Sequence, residues 1–281
     1  MIKFEILAIC YGLFAAASWG IGDFCGGIAA KQTNVFSVVM VANVVGLFFL
    51  ITLAYFFSVR MPSFYIMFHG GMAGIFGGLG FVALYSGLAR GRMGVVAPIA
   101  GVVSAVIPVI AGLFIEGLPS KPQFAGFGIA ILGVWLLSNP EGNKKYFIRE
   151  FTLAVSAGLG FGLFFIFIDR VSDHAIIWPL AFARIASTIM LFIVALVFRQ
   201  WKITPLYRVH IIILNGLFEV GGSLFFALAT HIGRLDISAV LSSFYPGATV
   251  LLSWLILKEK LFIQQWIGIL AALVAVVLFS N

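Results

Sequence analysis

Ten apolar runs follow one another along this chain, each near the length of a bilayer crossing and each ended by a charged or proline-bearing break. A helix of about 20 apolar residues spans the ~30 Å hydrocarbon core. Only helices and closed barrels do so, because lipid offers no partner to a free N–H or C=O. The runs cover residues 5–30, 35–57, 64–89, 93–115 and 123–138, then, after the polar stretch 139–145, residues 148–169, 176–198, 208–231, 235–257 and 262–280. The breaks between them leave no room for a soluble domain. Charged residues make up 10% of the chain and hydrophobic ones 62%, with mean hydropathy +1.15, whereas a soluble domain is about 25% charged. The predicted fold class is therefore an all-α membrane protein with ten transmembrane helices, whose solvent is the lipid bilayer.

A net charge of +7 and a pI near 9.6 would suggest a nucleic-acid partner in a soluble protein. Here the cations sit in the breaks, and no basic stripe interleaves with stacking aromatics, so nucleic acid is excluded. The breaks after runs one, three, five, seven and nine carry eleven Lys and Arg, against five on the terminal side. Cytoplasmic loops collect such residues, which puts both termini outside. Cys10 and Cys25 are too far apart on one helix to bridge, about 22 Å at 1.5 Å per residue, and read as small packing residues.

Displacing the chain against itself by 142 residues aligns its two halves without a gap: Gly20 meets Gly162, Gly80 meets Gly222, and Gly91-Arg92 meets Gly233-Arg234. Gln123-Phe-Ala-Gly126 likewise meets Gln265-Trp-Ile-Gly268. The predicted domains are a first five-helix repeat, 1–139, and a second, 143–281. Five crossings are an odd number, so the second repeat enters the membrane with inverted topology. Inverted repeats are a transporter architecture.

Further residues carry a family resemblance: the Trp19-Gly20 pair, and Leu241-Ser-Ser-Phe-Tyr-Pro-Gly-Ala-Thr-Val-Leu-Leu-Ser-Trp-Leu-Ile-Leu-Lys-Glu-Lys260 followed by Gln265-Trp-Ile-Gly268. Pro98, Pro108, Glu116, Gln123 and Gly126 stand in corresponding places of the first half. The chain resembles, over its full length, the drug/metabolite transporter superfamily in its ten-helix EamA-domain branch. The resemblance implies a small-molecule substrate passing between the halves, with runs five and ten as scaffold or homodimer contact. It also implies termini inside, against the charge count. Asp23 departs from the family pattern, where an uncharged polar residue is expected.

A charge at the bilayer centre costs roughly 2.5–3.5 kcal/mol even on the lenient insertion scale, so each one in a span needs a reason. Taking 1.5 Å per residue, Glu219 comes near the midplane and Arg184 about 5 Å from it on the terminal side. They lie on consecutive antiparallel spans, so an Arg184–Glu219 pair is expected, either as a substrate site or as a cross-link between helices. Asp23 lies roughly 5–10 Å to the other side, level with Asn43. It reads as a substrate contact, a proton site, a gate residue bonded to Asn43, or a snorkelling carboxylate. Trp19, Tyr85 and Tyr245 are candidate cavity walls, and Trp178 an interfacial anchor. Pro246, Pro98 and Pro108 are expected to interrupt their helices. Gly70, Gly74 and Gly78, like Gly22 and Gly26, form small-residue ridges that read as helix packing.

The chain has no His-Glu-x-x-His, Gly-x-Ser-x-Gly, Cys-x-x-Cys or P-loop motif, so no enzyme, cofactor or metal site is expected. A channel would show repeated polar rings, and none is present. With no nucleotide-binding motif, pumping must use a gradient. The sequence thus predicts a carrier in the cell membrane that exports an amino acid or related amphipathic compound by alternating access, with a facilitative sugar or nucleotide-derivative carrier as the alternative. The expected substrate contacts are Arg184, gripping a carboxylate, with Glu219, Tyr245, Trp19, Asn43 and Tyr85. Asp23 is the expected proton-coupling residue. A reporter fused after Asn281 should read extracytoplasmic if the charge count governs orientation; a cytoplasmic signal would reverse the topology.

Overall fold

The computed structural model describes residues 2–89, 93–115, 117–137, 147–199, 209–258 and 263–279. Glu116, Gly91-Arg92, Lys260 and the stretch 139–145 lie outside them. Among the described residues there are eleven α-helices and no strand. They are α1 (Ile2–Ala30), α2 (Val35–Phe56), α3 (Phe64–Ala89), α4 (Met93–Ile115), α5 (Lys121–Leu137), α6 (Phe147–Ser172), α7 (Ile177–Val197), α8 (Val209–Ile232), α9 (Leu235–Ser242), α10 (Tyr245–Leu257) and α11 (Ile263–Phe279). Seven described stretches are long and apolar enough to cross a membrane: Glu5–Ala30, Val35–Phe56, Phe64–Ala89, Arg149–Ser172, Ile177–Val197, Val209–Ile232 and Leu235–Ile256.

Local chemistry sets the helix ends. Asn34 caps α2 by accepting from the N–H groups of Phe36 (3.0 Å) and Ser37 (3.3 Å), which satisfies donors a helix leaves open. Before α5, Ser120 and Gln123 form a capping box: the Ser120 N–H donates to Gln123 Oε1 at 3.0 Å and the Gln123 N–H to Ser120 Oγ at 3.3 Å. Left-handed residues follow four helix ends, Ser58 (φ 49) after α2, Arg199 (φ 51) after α7, Gly117 (φ 82) after α4 and Lys258 (φ 56) after α10. They fall into two pairs of equal separation, 199 − 58 = 141 and 258 − 117 = 141.

Two of the expected proline interruptions do not occur. Helix α4 runs unbroken through Pro98 and Pro108, because losing one N–H costs less than exposing a whole turn of backbone to lipid. The expected ninth span, by contrast, is two helices. The chain tightens at Ser243-Phe244, where the N–H groups of Phe244 and Gly247 bond three residues back, at 3.2 Å and 2.8 Å. Pro246 then falls in the first turn of α10, where no intrahelical donor is needed. The Ser243 hydroxyl donates to Ala239 O at 2.7 Å, and the Thr249 hydroxyl reaches Tyr245 O and Gly20 O, both at 3.1 Å. Polar side chains thus cover the carbonyls around the break.

The helices pack across the chain's midpoint more than within each half. Helix α1 lies on α8, as α6 lies on α3; α2 packs on α7 and α5 on α11. Helix α4 packs on α6, as α9 and α10 pack on α1. The ridge on α3 is a packing device, as expected. A Cβ at Gly70, Gly74 or Gly78 would overlap Pro179, Ala183 and Ser187 in turn, four residues apart on α7. Gly22 and Gly26 differ from that expectation: they make room for the Glu219 carboxyl group and the Tyr85 ring, not for a neighbouring backbone. Gly74→Ala should destabilise the protein by about 1–3 kcal/mol, the usual cost of overpacking. Gly128→Ala meets nothing within 4 Å and should leave stability unchanged or raise it by about 0.4–1 kcal/mol. Thermal unfolding in detergent compares the two; equal midpoints would show that the α3–α7 contact yields freely.

Candidate functional site

Four-residue spacing puts Asn215, Glu219 and Ser223 on one face of α8, opposite Trp19, Gly22, Asp23 and Gly26 of α1. The Ser18 hydroxyl donates to Phe218 O at 2.7 Å and Trp19 Nε1 to Glu219 O at 3.2 Å, locking the two helices side by side. With no Cβ on Gly22, the Glu219 carboxyl group rests against the α1 backbone.

Three formal charges are buried here: Asp23 and Glu219 are each 2% exposed and Arg184 is 7% exposed. The expected direct pair between Arg184 and Glu219 does not form. Arg184 Nη1 donates to Asn43 Oδ1 at 3.1 Å and Nη2 to Ser223 Oγ at 3.0 Å. Ser223 in turn donates to Glu219 O at 2.9 Å, and Asn43 Nδ2 to Ser187 Oγ at 2.9 Å. The arginine is thus held by neutral acceptors on α2 and α8, with Glu219 near enough to act on its charge but not to bond it. Nor does Asp23 bond Asn43. Its carboxyl group lies near that of Glu219 and the Tyr85 hydroxyl.

Tyr85 OH donates to Glu219 Oε1 at 3.1 Å and accepts from Asn215 Nδ2 at 2.8 Å, while Asn215 Nδ2 also reaches Gly22 O at 2.9 Å. Asp23 Oδ1, Glu219 Oε2 and Asn215 Oδ1 find no donor. A buried acceptor without a donor costs about 1–3 kcal/mol, so a cluster of three marks a place where a ligand or proton belongs.

One cavity adjoins this cluster, lined by Trp19, Asp23, Asn43, Arg184 and Tyr245, by phenylalanines of α3 and α6, and by the α3 glycines. Its volume of about 40 Å³ holds only a few waters, each needing ~10–15 Å³ on that measure. Tyr85, expected as a cavity wall, and Glu219, expected as a substrate contact, are not among the residues that line it. Tyr245 does face the cavity, its hydroxyl directed to Ala97 O at 3.4 Å. Trp178 sits apart, donating to Val59 O at 3.1 Å.

Sequence reading missed most of the aromatic wall. Phe165 stacks between Trp19 (5.5 Å) and Phe226 (4.4 Å), and Phe161 meets Phe81 edge-on at 4.9 Å. With 30 phenylalanines in the chain, nothing local distinguishes these. Asn215 and Ser223 were findable, since each stands one helical turn from an intramembrane glutamate.

An all-helical, multi-pass membrane protein with a buried polar site inside its bundle is the class these features define. The EamA-like transporter family matches residues 6–139 and again 149–281. The chain belongs to that family, and is a membrane transporter of the drug/metabolite type. An uncharacterized protein of Methanocaldococcus jannaschii is 27% identical over 132 residues, covering 47% of this chain and 96% of that one. A solved crystal structure superposes with a TM-score of 0.78 at 14% identity, over 96% of this chain and 95% of the other; at that identity it speaks for the fold alone.

Arg184→Leu should be severely destabilising, by about 3–5 kcal/mol, because it leaves the two carboxyl groups without their countercharge. Tyr85→Phe, which keeps the ring but removes one donor, should cost about 1–3 kcal/mol. Thermal unfolding of the two variants in detergent checks the order; an Arg184→Leu protein as stable as wild type would show that the arginine compensates nothing.

Proposed function

We propose that this protein is a secondary transporter of the cell membrane, moving a small amphipathic metabolite (an amino acid or related amine) between its halves by alternating access, with export as its physiological direction. One observation carries the reading: a cavity at the junction of α1, α2, α3, α6, α7, α8 and α10 that places an unpartnered carboxylate oxygen beside a buried guanidinium among aromatic rings. An inert scaffold gains little from such groups, since apolar residues of equal volume serve as well.

Ten crossings in two inverted repeats, 1–139 and 143–281, provide the machinery. Helices α9 and α10 together make one crossing. Helices α5 and α11, at 17 residues each, reach the lower limit for a span. Reciprocal helix packing across the midpoint supports this reading, as do the paired left-handed caps and a relative half as long. The break between α9 and α10 supplies a point at which the second half can bend.

Asp23, Trp19, Asn43, Arg184 and Tyr245 would meet the substrate, with Glu219 and Tyr85 holding Asp23 in place. Asp23 is the proton-coupling residue of this scheme, because among the described acids it alone lines the cavity. Proteoliposomes with an imposed pH gradient, loaded in turn with amino acids, primary amines and sugars, provide the test. Wild type should concentrate one class against its gradient, while Asp23→Asn should still exchange that class but no longer concentrate it. Failure of every class to move in wild type would end the carrier reading.

A further inference from the structure

Away from the cavity, an ion pair ties the two halves of the chain together where α4 and α8 end. Arg234, between α8 and α9, holds Asp236 with its planar fork: Nε donates to Oδ1 at 3.0 Å and Nη2 to Oδ2 at 2.7 Å. Nη2 also donates to Gly117 O at 3.2 Å, just past the end of α4. Asp236 is fully buried and occupies a notch on α4, since a Cβ at Gly112 would lie 3.0 Å from the Asp236 Cβ. Its Oδ1 accepts the Ile237 N–H at 2.8 Å as well. A bidentate, charge-assisted pair is strong and fixes orientation. The Arg234 side chain is 27% exposed, so water can reach the clasp from that end of the bundle.

The helix that this clasp anchors is otherwise weakly seated. All eight residues of α9 are buried, packed mainly against α4 and α1. Toward α1, Ser242 Oγ reaches Gly12 O only at 3.4 Å, and Ser238 Oγ, in a residue 1% exposed, has no partner. A buried hydroxyl left unpaired works against the position that holds it. At its far end α9 stops at the break at Ser243-Phe244, and Tyr245, the first residue of α10, lines the cavity. Asp236 precedes Tyr245 by about 13 Å of helix, so α9 leads from the clasp to the cavity. Displaced by 142 residues, Gly94 stands opposite Asp236, and α4 runs unbroken. The first half therefore has neither this acid nor this break.

We infer that α9 is a gate on the path to the cavity, latched to α4 by Arg234 and Asp236 and hinged at Ser243-Phe244. When the pair parts, α9 swings off α1 and α4 as a unit and opens the cavity toward the end of the bundle where α4 and α8 finish. This rests on the alternating-access reading and deepens it, naming the element that moves and the residues that hold it shut. Arg234 and Asp236 are positioning residues, since neither is among those that line the cavity. The Ser104 hydroxyl, 3.1 Å from that of Ser243, keeps the hinge itself against α4 while α9 turns about it.

The experiment uses the purified full chain in detergent with Cys10→Ala, Cys25→Ala and Ser238→Cys, which leaves a single buried thiol on α9, and follows its labelling by a charged methanethiosulfonate. Adding Asp236→Asn should speed labelling about tenfold or more, because a buried pair that loses one charge is strongly weakened. Arg234→Lys, which keeps the charge but loses the fork, should speed it by less. Asp173→Asn removes a different ion contact, with His231 at 3.5 Å, and should leave the rate unchanged. Should Asp236→Asn fail to fold, hydrogen exchange of wild type serves instead: amides 238–242 should exchange together, about tenfold or more faster than amides 219–229 of α8, as a segment that opens locally does. Labelling that Asp236→Asn and Arg234→Lys leave unchanged, equal acceleration by Asp173→Asn, or α9 amides no faster than those of α8 would each overturn the assignment. Unchanged labelling in a protein that moves solute across liposomes would sink the gate and spare the carrier reading. Faster labelling in a protein that moves no solute would do the reverse.

Discussion

Burying three formal charges around one cavity inside a bundle of apolar helices is the constraint around which the rest of the structure is arranged. Each charge alone would be expensive at this depth, and each is made tolerable by a different device. Arg184 is wrapped by Asn43 and Ser223. Glu219 is seated in the notch left by Gly22 and bonded by Tyr85. Asp23 leans on Glu219 and opens to the cavity. These supports come from α1, α2, α3, α7 and α8, so the polar site and the helix packing are one arrangement. The reciprocal pairing of α1 with α8 and α3 with α6 brings residues more than 190 positions apart, such as Gly22 and Asn215, into a single network.

The glycines divide the labour. Those of α3 at 70, 74 and 78 admit the α7 backbone, and that close approach holds Arg184 at the cavity wall. Those of α1 at 22 and 26 admit side chains, seating the Glu219 carboxyl group and the Tyr85 ring against α1. A bundle lacking the first set would be wider, and one lacking the second would have no room for its acids. The expected Arg184–Glu219 pair fails for this reason: the carboxyl group finds its seat on α1, while the guanidinium finds neutral acceptors nearer to hand. That separation leaves Asp23 to line the cavity.

Much of this was legible before any coordinates, because the physics involved is one-dimensional. Lipid forces the backbone into helices, so apolar run lengths located the helices, most to within a few residues. A constant offset of 142 residues pointed to a doubled organisation, and the family model matches twice, at residues 6–139 and 149–281. The rarity of charge made Asp23, Arg184 and Glu219 conspicuous as residues needing a partner. The two proline surprises show where such reading stops. Pro98 and Pro108 sit in an intact helix, while the break before Pro246 forms where α1 approaches closely enough for Gly20 to contact Tyr245 and Thr249. The residue type is the same in each case, and the surroundings decide.

The sequence by itself determined the class of fold and the identity of the charges around the cavity, since these follow from composition and spacing along the chain. Only the tertiary structure decided which charge meets which, that Asp23 lines the cavity while Tyr85 and Glu219 are not among its lining residues, and which few of thirty phenylalanines line it. Partner choice in a bundle depends on rotation and close approach of helices far apart in the chain. Those are fixed by side-chain volumes at a handful of contacts, where one missing Cβ moves a carboxyl group from one neighbour to another.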